Sequence, residues 1–139
     1  YVVDKGKSQV KGRSRVGENL YMRGVFNSVL IAEAIRTAQG KFGNRVINGE
    51  EMRWGMENLH LTSARMAEIG LPGFTNPIKV SCDDHANNGP VYIQQWNGTS
   101  WERVSGWINS MDRVRPMLEK AAAGYKAKNS VPDRTIPCS

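Results

Sequence analysis

The stretch 18–39, ENLYMRGVFNSVLIAEAIRTAQ, constrains the fold more than any other part of the chain. Leu20, Val25, Phe26, Val29, Leu30, Ile31, Ala32, Ala34, Ile35 and Ala38 recur at helical spacing over well more than half the circumference, and only Glu18, Arg23, Glu33 and Arg36 carry charge. Gly17 and the polar pair Glu18-Asn19 precede the run, and Gly40 and Gly43 follow it. The pattern predicts one helix of roughly six turns between two breakers. A helix apolar over most of its girth has to be covered, by a sheet on one side and by helices or a second chain on the other. The rest of the sequence supplies little sheet.

With 139 residues, 40% hydrophobic and 23% charged, the composition is that of one ordinary globular domain with a core. The uncharged run in the 18–39 helix, 24–32, is far short of the about 20 apolar residues of a spanning helix. The chain opens on Tyr1 without a basic-then-apolar leader, so any targeting segment is expected to have been removed or to lie outside this stretch. The two cysteines, Cys82 and Cys138, are not in a CxxC unit. Such a pair, one member next to the last residue, suggests a disulfide that pins the tail and an oxidising compartment; the alternative is two unrelated thiols.

The net charge of +6 is concentrated in Lys5, Lys7, Lys11, Arg13 and Arg15. A basic arm can hold phosphates, but no aromatic side chains are interleaved to stack on bases. The run reads as a solvated segment, and nucleic acid is not an expected partner.

In chain order, 1–3 reads as the end of a strand and 4–17 as an exposed loop. Asn48 with Glu51 has the capping-box spacing ahead of a second helix, 50–59, with Met52, Met56 and Leu59 on one face. Thr62 or Ser63 caps a short helix through Ile69, closed by Gly70 and Pro72. Ile78-Lys79-Val80 is a short strand, and 81–90, SCDDHANNGP, is a strongly polar loop. VYIQQW and WERVSGW flank Asn97-Gly98-Thr99-Ser100, a hairpin signal whose four-residue loop sets Trp96 opposite Trp101 and Ile93 opposite Val104. Pro116 suits the first turn of a last helix, 116–126, before an extended tail.

Candidate chemistry is sparse. Cys82, Asp83, Asp84 and His85 adjoin one another, but match neither a closed zinc set nor the calcium-loop pattern, so no metal is expected. His60 and His85 are the only histidines, and neither a GxSxG motif nor a phosphate-cradling glycine pattern occurs. The sequence therefore predicts no enzyme and no cofactor.

The segments LYMRGVFNSVLIAEAIRTAQ, EEMRWGMENL, GLPGF, IKVSCDDH and VYIQQWNGTSWERVSGWI together resemble the C-terminal part of periplasmic branched-chain amino-acid-binding proteins, the substrate-binding components of ABC importers. That resemblance implies an α/β chain, the C-terminal part of a two-lobed periplasmic-binding-protein fold with a long buried helix plus a β-hairpin. It places 1–80 in the first lobe, including helix 18–39, gives 81–108 to a crossing segment and the second-lobe hairpin, and leaves 109–139 as C-terminal helix and tail. Tyr21, with Met22 and Arg23 beside it, would face a ligand cleft; a helix-start aromatic packed on the preceding loop is the alternative for Tyr21. An amino acid or small carboxylate, a membrane permease, and a missing N-terminal part or second copy of the chain are the implied partners. The other reading is a small self-associating interaction domain, with a basic nucleic-acid-binding module behind it.

Overall fold

The computed structural model describes residues 3–9, 13–85, 89–133, 135 and 138. The strand expected at 1–3 and Lys11 of the basic run fall wholly or largely outside them. The chain divides into two compact units, Tyr1–Met56 and Glu57–Ser139. That division falls within the 1–80 segment assigned to one lobe by resemblance.

In the first unit, α1 (Asn19–Phe42) runs past the expected stop at Gly40. A glycine inside a helix costs only about 1 kcal/mol relative to alanine, too little to end one this long. The helix ends at Gly43, whose φ of 96° only glycine adopts readily, and whose N–H donates to the Gln39 carbonyl at 2.9 Å. Within this chain α1 is only partly covered. Only Glu33, Ala34 and Ala38 of α1 are buried, while Leu20 stays 77% exposed. The physical reason is the size of the cover. Its helical neighbour in the unit is the nine-residue α2 (Gly49–Glu57), which can shield one stripe and no more.

The α1–α2 crossing is close because small residues meet there. A Cβ built on Gly55 would lie 2.3 Å from the Ala34 carbonyl oxygen and 2.9 Å from the Ala38 Cβ. The start of α2 is fixed by a reciprocal cap, in which Asn48 N–H donates to Glu51 Oε2 and Glu51 N–H to Asn48 Oδ1, both at 2.9 Å. Arg45 adds a bond from Nη1 to Glu51 Oε2 at 3.0 Å. The Phe42 and Trp54 rings meet edge-on at 5.5 Å, and the Lys41 ammonium lies 4.1 Å from the Trp54 centroid.

In the second unit, β1 (His60–Leu61) pairs antiparallel with β2 (Ile78–Lys79), Leu61 opposite Ile78. Strand pairing takes the residues after Asn58, so α2 stops short of the expected end at Leu59. Between the strands, α3 (Ser63–Glu68) begins at Thr62, whose hydroxyl accepts from Arg65 N–H at 3.1 Å. Among the described residues, Leu59, Leu61, Met66 and Ile78 are the unit's buried apolar side chains.

The second sheet is the hairpin of β3 (Gln94–Trp96) and β4 (Trp101–Arg103), with Gln94 opposite Arg103 and Trp96 opposite Trp101. This is the register set by the four-residue connection. Asn97 Oδ1 accepts from the N–H groups of Thr99 and Ser100, each at 2.8 Å, and so closes the loop. Val91 and Ile108 form a further antiparallel bridge beyond the hairpin. The last helix, α4 (Met111–Asn129), starts before the expected Pro116, which lies inside it. Asn109 donates to the Asp112 carboxylate at 2.9 Å, and the Ser110 carbonyl accepts from Arg113 and Val114 N–H, so the turn is built upstream of the proline. Cys82 and Cys138 are joined by a disulfide, their Cα atoms 5.5 Å apart.

Candidate functional site

Strand alternation brings the second unit's distinctive side chains together. With Gln94 opposite Arg103 and Trp96 opposite Trp101, the period of two places Tyr92, Gln94 and Trp96 on the same face as Trp101 and Arg103. The Trp96 and Trp101 rings lie 5.6 Å apart at the loop end. Toward the other end, the Arg103 guanidinium carbon sits 4.9 Å from the Tyr92 ring centre and 4.6 Å from that of Trp107, and the two rings meet edge-on at 4.8 Å. Arg103 Nε donates to the Ser105 carbonyl at 2.8 Å. The guanidinium is thus held in place by two rings and one carbonyl, and its Nη groups have no acceptor among the described residues.

This arginine borders a cavity of about 450 Å³ whose walls also include Ser63, Phe74, Asn76, Tyr92 and Trp107. None of the lining side chains is an acid, a histidine or a cysteine. The cavity's donors suit a hydrogen-bond acceptor and its three aromatic walls suit apolar surface.

The acidic loop behaves differently from a ligand cluster. Cys82 is consumed by the disulfide, Asp84 pairs with Arg115 at 3.0 Å, and His85 Nε2 lies 3.4 Å from Oε1 of the buried Glu57. These bonds turn the groups toward separate protein partners, and no three metal-ligating side chains converge among the described residues. His60 pairs through its backbone with Lys79 in the first sheet.

Tyr21 and Met22 are half-buried and Arg23 is exposed, all on the opening turns of α1 in the first unit. They line neither the Arg103 cavity nor an adjoining one of about 340 Å³ that shares Phe74, Tyr92 and Trp107 with it. Their place at a ligand cleft rested on the family resemblance alone. Sequence reasoning did not single out Arg103, Tyr92, Trp107 or Phe74. The alternation in VYIQQW and WERVSGW carried the signal for the first three; Phe74 comes from a loop that no periodicity marks.

No protein-family model matches the chain, and no curated protein matches it. A solved structure does: it is described as the crystal structure of an ABC transporter permease from the Pseudomonas fluorescens group, with 40% sequence identity and a TM-score of 0.82. The likeness is to an ABC transporter protein. It covers 99% of this chain and 33% of that one, so the chain spans about a third of the length of the protein it matches. The permease is the membrane component of a transporter, and this corrects the expectation of a periplasmic, substrate-binding component that holds a branched-chain amino acid between two lobes. Among the described residues no helix is long and apolar enough to cross a membrane.

Proposed function

We propose that this chain is a region of the permease component of an ABC transporter and works only as part of that longer protein. The observation that carries the reading is the 40% identity sustained over 99% of the chain at a TM-score of 0.82. Two features are consistent with it. α4 carries seven charged side chains, Asp112, Arg113, Arg115, Glu119, Lys120, Lys126 and Lys128, which hydrocarbon would penalise, so this region meets water and protein. The Arg103 cavity offers donors and aromatic walls, as suits a place where another segment of the transporter docks. The full-length protein that contains this chain, tagged and extracted from its native membranes in mild detergent, should purify in a complex with an ATP-hydrolysing subunit. Recovery as a species without such a subunit would remove the reading.

A further inference from the structure

The Arg103 side chain is fixed in place but only partly used. Its Nε donates to the Ser105 carbonyl at 2.8 Å, and its guanidinium carbon sits 4.9 Å and 4.6 Å from the ring centres of Tyr92 and Trp107. With Nε taken, the pair left to bind is Nη1 with Nη2, which has no acceptor among the described residues. Two N–H donors side by side on that edge match the two oxygens of a carboxylate. The chain around the cavity supplies none. No acid occurs among the lining side chains, and Glu102, next along β4, alternates to the opposite face and accepts from Asn97 Nδ2. Tyr92 and Trp107 are 39% and 49% exposed, so the arginine sits in an open cavity.

We propose that this cavity receives the carboxylate of an Asp or Glu side chain from a segment of the same polypeptide outside residues 1–139, with the Arg103 Nη pair as a two-pronged donor and Phe74, Tyr92 and Trp107 against the acid's apolar stem. The openness of the site selects the source. An exposed ion pair shifts an equilibrium by about fivefold at most, which does not retain a free small acid. A segment carried on the same polypeptide is presented at an effective concentration of about millimolar, where a contact of that strength is occupied together with the apolar contacts around it. The similar solved protein matches this chain over only 33% of its own length, so about two thirds of that protein lies in segments of this kind. The inference deepens the reading of the cavity as a docking place: it rests on the chain's belonging to a longer protein, not on which transporter component that protein is.

Arg103→Lys in the full-length protein tests it, because it keeps the charge at an exposed position and supplies an amine that a carbodiimide joins to a carboxylate in contact with it. Peptide mapping should find position 103 joined to one Asp or Glu outside residues 1–139 of the same molecule, at a yield about fivefold or more above that in urea and unchanged on dilution. A partner within residues 1–139, or a yield no higher than in urea, would overturn the proposal. A cross-link to another polypeptide, or one lost on dilution, would assign the cavity to a different subunit or a second copy, and the added mass of a small acid would assign it to a free carboxylate; each overturns it as well. With Arg103 left in place, changing the acid so identified to its amide should raise the rate at which phenylglyoxal modifies Arg103 by about fivefold. An unchanged rate would show that the two rings and the Ser105 carbonyl alone set the state of the guanidinium, against the proposal. Purification without an ATP-hydrolysing subunit, with the cross-link still formed, would defeat the permease reading and leave this inference standing; the subunit present with no cross-link would do the reverse.

Discussion

Replacing Gly55 with alanine tests the packing of the first unit at its tightest point. The added Cβ would meet the Ala34 carbonyl oxygen at 2.3 Å, the Ala34 carbonyl carbon at 3.2 Å and the Ala38 Cβ at 2.9 Å. None of these atoms can rotate away, because two belong to the α1 backbone and the third is fixed directly to it. The helices must therefore move apart by about 1 Å, with loss of dispersion contacts along the seam. Overpacking of this kind costs about 1 to 3 kcal/mol, against a gain of about 1 kcal/mol from replacing a helical glycine. The 2.3 Å approach to backbone puts this case at the upper end of that cost, so the expected net effect is a loss of about 2 kcal/mol. Gly24→Ala on α1 is the control, since a Cβ there meets nothing within 4 Å, and it should be neutral or stabilise by up to about 1 kcal/mol. Urea denaturation followed by far-UV circular dichroism measures both. A Gly55→Ala protein whose midpoint matches or exceeds the wild type would refute the close helix crossing.

Three further outcomes follow from the geometry. Reduction of Cys82–Cys138 releases a closure across 56 residues and should lower stability by about 4 kcal/mol on the chain-entropy model, read as a shift in thermal unfolding with and without reductant. The Glu51 carboxyl is held below its ordinary range by the Arg45 hydrogen bond first and the Asn48 N–H second. Because its folded value is the lower one, its contribution is complete above the ordinary carboxylate range and is lost as pH falls through the lowered value. Helical signal should therefore decline in acid, and Glu51→Gln should flatten that part of the titration; an unchanged titration would count against the cap. Arg103→Ala removes the cation held between Tyr92 and Trp107 and should cost about 0.5 to 1 kcal/mol at this exposed site, with a change in tryptophan emission as the local readout.

Local chemistry was legible in the sequence wherever neighbouring residues settle it. The Asn48–Glu51 reciprocal cap, the Thr62 cap and the Trp96–Trp101 register each depend on contacts within a few positions, and all are present as the spacing implied. Boundaries were less legible where one residue type can act in two ways. Gly40 could end a helix but is carried through it, and Pro116 could open a helix but is tolerated within one that starts at Met111. Burial was the least legible. The apolar girth of α1 predicted a need for cover, but not how much of it this chain supplies, and Leu20 and Ile31 remain exposed. The cavity shows the same limit. Alternation predicts which face Tyr92 and Arg103 share, whereas the approach of Phe74 and Asn76 is set by how the 72–77 loop returns to the hairpin, which no local pattern encodes. The component assignment failed for a related reason: it rested on likeness of short segments, and the solved structure that matches them is described as a permease.

The central claim, that the chain belongs to an ABC transporter permease, is tested most directly by ATP hydrolysis in the complex purified through the full-length protein. The account predicts steady hydrolysis that co-elutes with this polypeptide and is abolished by vanadate. A homogeneous preparation of the full-length protein with no co-eluting, vanadate-sensitive hydrolysis would contradict it.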